Sequence, residues 1–195
     1  MYAIKSPDKF ITTPWKNGLG ETTELAINQG ASLTNFDWRI SMAKVTQDGV
    51  FSDFSGYFRQ LILIAGNGIN LQHKSPGSER AIGKDKLTHV LDIAEFDGGN
   101  QTFGELINGE IIDLNVITDS AKVVSQVTTV TEQQTITIET DERLLLYPVT
   151  DKLNITVQEQ SFTLARGYLF HWLSDDSKNL QVSGQNFILI ELSKK

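Results

Sequence analysis

The chain has 195 residues, 39% of them hydrophobic and 21% charged, with a net charge of −7 and a pI near 4.9. That length allows one large domain or two small, closely packed ones, with enough buried apolar surface to need no disulfide or metal staple. The acidic balance repels phosphate backbones and anionic lipid, so neither nucleic acid nor a membrane is expected as a partner; the absence of cysteine excludes thiol catalysis, thiolate metal sites and iron–sulfur clusters.

The opening MYAIKSPDKF carries no apolar signal core and no run approaches a membrane span, so a cytoplasmic location is expected. Next comes TPWKNGLGETTELA (Thr13–Ala26), with an indole, an amine, an amide and two carboxylates around two glycines. Asn17-Gly18 is a tight-turn signal. It leaves Trp15 as a packing anchor and lets Gly18 and Gly20 approach a neighbouring backbone or ligand. The glycines lack the Gly-Lys-Ser/Thr ending of a phosphate loop, and no helical pattern follows them.

WRISMAKV (Trp38–Val45) alternates Trp38, Ile40 and Met42 against Arg39, Ser41 and Ala43, the period of a strand. RQLILIAG from Arg59 is apolar on both faces, as a fully buried strand would be. SPGSERAIGKDK (Ser75–Lys86) reads as a polar loop, and HVLDIAEF as a strand opened by His89. TITIE (Thr135–Glu139), LNITVQ (Leu153–Gln158) and NFILIEL (Asn186–Leu192) are short and β-branched. Turn dipeptides such as Asp48-Gly49, Pro76-Gly77 and Asn108-Gly109 separate these runs, and no segment holds a helical period over three turns. The expected class is all-β.

A faint repeat strengthens that reading. RQLILIAGNGINLQ begins at Arg59 and RLLLYPVTDKLNIT at Arg143. Each has an arginine, an apolar strand, a polar turn and a strand carrying Asn70 or Asn154, and each is followed by a histidine, His89 or His171. A duplicated β-barrel, one copy in each half, predicts Arg59 and Arg143 on equivalent strands.

The chemistry-bearing residues are few. His73, His89 and His171 are far apart and lack the spacing of a metal site, so no metal is expected; His89 is the candidate pocket-lining donor. Arg39 follows a tryptophan inside an alternating strand, and Arg59 opens a buried one. Arginines so placed either form structural ion pairs or hold a ligand carboxylate through the planar guanidinium fork.

Four segments, PWKNGLGETTELA, FDWRISMAKVTQDGVFSDFSGYFRQLILIAGNG, FDGG and DLNVIT, occur in that order between Pro14 and Thr118. In this combination the chain resembles the HutD/Ves family of bacterial proteins. The resemblance implies a double cupin-like β-barrel (a bicupin of RmlC-like jelly rolls) without the cupin metal-binding histidines. It also implies a non-enzymatic role, binding a histidine-degradation metabolite such as formylglutamate or serving a stress response. Two departures stand out: Leu19 replaces a third glycine, and NVITDS replaces the more usual Asn-Val-Met-Thr-Arg-Arg.

The resulting expectation is two cupin-like halves, residues 1–105 and 106–195, closely packed and with strands open to exchange. A small anionic metabolite is bound without a cofactor, and a homodimer remains open. Lys16 and Arg39 supply charge. Asn17, Ser41 and Asn115 orient, Trp15 and Trp38 form apolar walls, His89 donates, and Arg59 braces the site, against Asp113. Two rivals stand beside it. One is a metal-independent isomerase or hydrolase of a small acid, with His89, Glu21 or Glu24 as base; the other is a protein-interaction module without a small ligand.

Overall fold

The computed structural model describes residues 1–15, 20–78, 80–140, 142–172 and 178–195. Over these it is all-β, with one 3-10 turn at Pro7–Lys9. No helix among the described residues is long and apolar enough to cross a membrane.

The chain forms two compact units, Ile11–Val123 with Lys195, and Val124–Lys194 with Met1–Phe10. Strand β1 (Tyr2–Lys5) precedes β2 (Ile11–Pro14), β3 (Gly20–Ile27), β4 (Trp38–Val45), β5 (Gly49–Val50), β6 (Tyr57–Ala65), β7 (Ile69–Lys74), β8 (Ala81–Leu87), β9 (Ile93–Asp97), β10 (Gln101–Leu106) and β11 (Ile111–Asp119). There follow β12 (Val123–Val130), β13 (Gln134–Thr140), β14 (Arg143–Pro148), β15 (Leu153–Val157), β16 (Gln160–Leu164), β17 (Leu169–Trp172), β18 (Lys178–Gly184) and β19 (Phe187–Lys194).

In the 11–123 unit one sheet runs β2-β3-β4-β11-β6-β9 and the other β5-β10-β7-β8. In the 124–194 unit the sheets run β12-β19-β14-β17-β1 and β13-β18-β15-β16. Adding eight to each strand number turns β4-β11-β6-β9 into β12-β19-β14-β17, and β5-β10-β7-β8 into β13-β18-β15-β16. The repeat is therefore one of topology, with β2 and β3 added at one edge of the first unit and β1 at the opposite edge of the second.

Each unit buries side chains between its own two sheets. Ala43, Val45, Leu61, Leu63, Phe96 and Ile111 meet Ile69, Leu71 and Leu87 in the first. Leu144, Leu146, Phe170, Phe187 and Leu189 meet Leu153, Ile155 and Val182 in the second. Successive strand residues face opposite ways. Arg59 therefore shares the inner face with Leu61 and Leu63, whereas Arg143 lies on the face opposite Leu144 and Leu146.

The two arginines thus occupy equivalent strands, β6 and β14, but opposite faces. The path from inner Leu146 to inner Leu153 is one residue longer than that from Leu63 to Ile69, and one residue of slip inverts a strand's faces. The division of the chain also differs from a cut at 105/106. β11 lies between β4 and β6, pairing with both, so the first unit closes only at Val123. The polar stretch after Ser75 likewise differs from the expected loop. Its second half is β8, an edge strand exposed at Ala81, Ile82, Gly83, Lys84 and Lys86, where no buried face imposes an apolar alternation.

Candidate functional site

The inner face of the larger sheet in the 11–123 unit turns polar at one end. Register sets three rows across neighbouring strands. Ala43 lies beside Asp113, and Asp113 beside Leu63. Ser41, Asn115 and Leu61 form the next row, and Arg39, Ile117 and Arg59 the third. At about 4.8 Å between strands, Arg39 and Arg59 stand roughly 10 Å apart on either side of Ile117. These residues form part of the wall of a cavity of about 560 Å³, closed on other sides by Pro14, Trp15, Thr22 and the segment Gln47–Ser52 with Phe54.

Arg59, Asn115 and Asp113 are 5%, 4% and 0% exposed. Arg59 Nη2 donates to Asn115 Oδ1 at 2.7 Å, Nη1 lies 3.4 Å from the Ser52 carbonyl oxygen, and Asn115 Nδ2 donates to Asp113 Oδ1. Phe51, Phe54 and Phe96 surround the guanidinium, with ring centres 5.4, 5.3 and 5.2 Å away. Such stacking suits a weakly hydrated planar cation. Burial lowers the Arg59 pKa to about 10, Asp113 opposing the shift, so the group stays charged at neutral pH. Burial raises Asp113 to about 7, against the pull of Arg59 and the hydrogen bond from Asn115. Arg59 Nε and Asp113 Oδ2 are buried with no hydrogen-bond partner among the described residues.

Arg39 is held differently. Its Nε donates to Glu24 Oε2 at 2.9 Å, and both side chains are largely buried. β3 shifts register between Glu24 and Ala26, a bulge beside the pair. Trp15 Nε1 donates to Thr22 Oγ1 at 2.7 Å, and the indole packs on the core of the unit. A Cβ on Gly20 would stand 2.9 Å from Trp15 Cζ3 and collide with the Lys44 carbonyl oxygen, so glycine there admits the indole.

Of the residues expected at a binding site, Trp15, Arg39, Ser41, Arg59 and Asn115 line this cavity. Lys16 and Asn17, with the Asn17-Gly18 turn, lie outside the described residues. Two others are elsewhere. Trp38 is buried at 4% exposure on the face of β4 opposite Arg39, as the alternation of a strand requires. His89 does not open a strand: it lies in the turn before β9, and its side chain is 84% exposed. Its backbone N–H donates to Asp92, whose carboxylate fixes that turn. Of the bases considered for an enzyme, Glu24 is committed to Arg39, and Glu21 sits beside Pro14 and Lys44 in the sheet, with an exposed side chain.

Phe51 and Phe54 carry no local sequence signal for a binding role, and Asp113 is more than the expected brace for Arg59. The signal for Asp113 was present, since an aspartate and an asparagine two apart in IIDLNVIT fall on one face of an apolar strand. His73, expected only as one of three scattered histidines, is buried and engaged on both ring nitrogens. It is 3% exposed, with Nδ1 2.9 Å from Thr102 Oγ1, Nε2 2.9 Å from Asp85 Oδ2, and its ring against Phe96. Among the described residues no three His, Asp or Glu side chains are grouped to hold a metal ion.

These features define an all-β protein of two topologically repeated units, one of which encloses a partly charged cavity. The HutD family model matches residues 8–190, and the chain belongs to that family. It is 35% identical over 104 residues to an uncharacterised 21.2 kDa protein in the hutC 3′ region of Pseudomonas putida, covering 53% of this chain and 51% of that protein. It is 32% identical over 108 residues to the protein Ves of Citrobacter koseri, with the same coverage of each chain. The chain spans about half the length of the curated relatives it matches. A structure of HutD from Pseudomonas fluorescens SBW25 (formate condition) superposes with a TM-score of 0.83 at 26% identity, covering 100% of both chains.

Proposed function

We propose that the 11–123 unit binds a small anionic metabolite, a formylglutamate-like carboxylate, and that the protein serves histidine utilisation or a stress response through that binding. The observation that carries the reading is Arg59: a charged guanidinium, nearly fully buried in a cavity wall, with Nε unmatched among the described residues. A buried guanidinium N–H without an acceptor is costly, and a ligand carboxylate would supply that acceptor. Phe51, Phe54 and Trp15 supply apolar surface for a short carbon chain, and Ser41 and Asn115 supply orienting groups. Lys16 adds a second cation in this reading. Kinship with a protein from a hutC-adjacent region supports the histidine-utilisation half of the proposal. The repeated strand order, eight strands in each unit, supports a double jelly roll of the cupin-like kind.

A metal-independent cupin enzyme acting on a small carboxylic acid is the second reading. Asp113 favours it, because a buried carboxyl titrating near neutrality in a cavity suits general acid–base work.

Calorimetry with formylglutamate, glutamate and urocanate tests the binding reading. Arg39→Ala and Lys16→Ala should each weaken the preferred ligand roughly ten- to hundredfold, about 1.5–3 kcal/mol, with the fold intact. Arg39→Lys should also weaken it, because an ammonium lacks the planar fork. A bound ligand indifferent to all three changes sinks the assignment. Turnover of any of the three compounds that Asp113→Asn abolishes moves the case to the enzyme.

A further inference from the structure

Building on the carboxylate-binding reading, we infer that the cavity takes up its anion together with one proton, and that Asp113 holds that proton. The charged groups of the cavity are already matched in pairs. Arg39, on β4, is paired with Glu24 of β3. Arg59, on β6, reaches Asp113 of β11 through the side-chain amide of Asn115, which accepts from the guanidinium and donates to the carboxyl. With Asp113 ionised, each of these two cations has its own carboxylate, so an incoming anion finds no unmatched cation among the described residues that line the cavity.

The remaining surroundings do not relieve that conflict. β4 and β6 place Ala43 and Leu63 directly beside Asp113. β3 adds Thr22, and the Gln47–Ser52 segment adds an exposed Asp48, which accepts from the Leu106 backbone N–H and is itself acidic. β9 contributes Phe96, behind which His73 of β7 is engaged with Asp85 of β8 and Thr102 of β10. No further cation lines the cavity among the described residues.

Protonating Asp113 resolves the conflict twice over. It frees Arg59 to take the ligand carboxylate as its counter-ion. It also converts Oδ2, an orphan acceptor, or its partner oxygen into an O–H donor. The balance is simple: one carboxylate and one proton enter from solvent, no covalent bond changes in the ligand, and the cavity's net charge is unchanged. Free Asp113 titrates at about 7. Below that pH the proton is already in place and affinity is level; above it, each unit of pH should weaken binding about tenfold until the bound form also ionises.

The test is calorimetric titration of formate and acetate near pH 8 in two buffers of different ionisation enthalpy, repeated near pH 5.5. Support is an uptake approaching one proton per carboxylate near pH 8, fading towards none near pH 5.5, with the neutral analogues formamide and acetamide showing no uptake. Asp113→Asn, neutral at every pH, should bind formate near pH 8 without proton uptake, about tenfold tighter than the unaltered protein. Carboxylate binding near pH 8 without uptake overturns the inference while leaving the binding reading standing, and so does uptake that persists in Asp113→Asn. Failure of formate, acetate and formylglutamate to bind at any pH overturns both. If Asp113→Asn does not fold, the proton count of the unaltered protein decides alone.

Discussion

Between the sheets of the 124–194 unit stand Leu144, Leu146, Leu153, Phe170, Phe187 and Leu189, with Tyr2 stacked on Phe162 and Phe170 at its border. Between the sheets of the 11–123 unit, β11 turns Asp113 and Asn115 inward on the strand that corresponds to β19, where Phe187 and Leu189 face in. Two units with the same strand order thus spend their interiors differently. One is packed with hydrocarbon and aromatic rings, which favours stability. The other gives up part of its core to a cavity and a chain of polar contacts. The strand order does not decide which unit holds a polar cavity; a few inward-facing positions on the equivalent strands do.

The largest expected effect lies in the packed unit. Phe170→Ala removes a fully buried ring and should cost about 3–5 kcal/mol, read by urea unfolding. Carboxylate binding by the folded variant should match the unaltered protein. Loss of binding there would break the division of labour between the units.

The two interiors should also respond to pH in opposite senses. Burial in the 124–194 unit lowers His171 to about 4, with Arg143 adding to the shift. Its folded pKa is below the usual 6.5, so the stability it confers is full above about 6.5. That stability is lost as pH falls towards 4, by up to about 3 kcal/mol. Asp113 is raised, so its contribution is full below its ordinary pKa of 3.8 and is lost as pH rises to about 7. The expected loss is up to about 4 kcal/mol. Unfolding free energies of His171→Gln and Asp113→Asn, each set against the unaltered protein from pH 4 to 8, should diverge from it at opposite ends of the range. A difference flat in pH for either variant removes that half of the contrast.

A smaller effect is expected at the rim of the cavity. Thr22→Val removes the acceptor of the Trp15 indole N–H and should cost about 1 kcal/mol. It should weaken carboxylate affinity less than Arg39→Ala does. An equal loss from both would mean that the indole orients the ligand as strongly as the cation holds it.

Much of this was legible in the sequence, and the failures have physical reasons. The bounds of β4 and the two-sided burial of β6 follow from period and composition. Trp38 falls outside the cavity because WRISMAKV, as a strand, sets it on the face opposite Arg39, so an apolar residue type next to a site residue does not place it in the site. His89 followed from taking a histidine next to an apolar run as strand, whereas Asp92 binds the Thr88 and His89 backbone amides and makes a turn. β8 was missed because an edge strand has no buried face to impose a pattern. The fit of Arg59 among Phe51, Phe54 and Phe96 depends on three separate segments meeting in space, which local sequence does not encode.

The placement of β1 has a consequence for the order of assembly. Tyr2–Lys5 pairs with Leu169–Trp172, so β1 joins a partner that is made long after it. Contacts of such sequence separation close slowly, because the intervening chain must first be confined. The 11–123 unit draws its strands from one contiguous stretch and can close while β14, β17 and β19 are still unmade. Until β17 arrives, the leading strand has no edge to join and its exposed backbone is open to capture by other chains. A fragment ending at Val123 should therefore be a cavity-bearing unit with an unpaired β1, and removal of Met1–Phe10 from that fragment should make it more soluble.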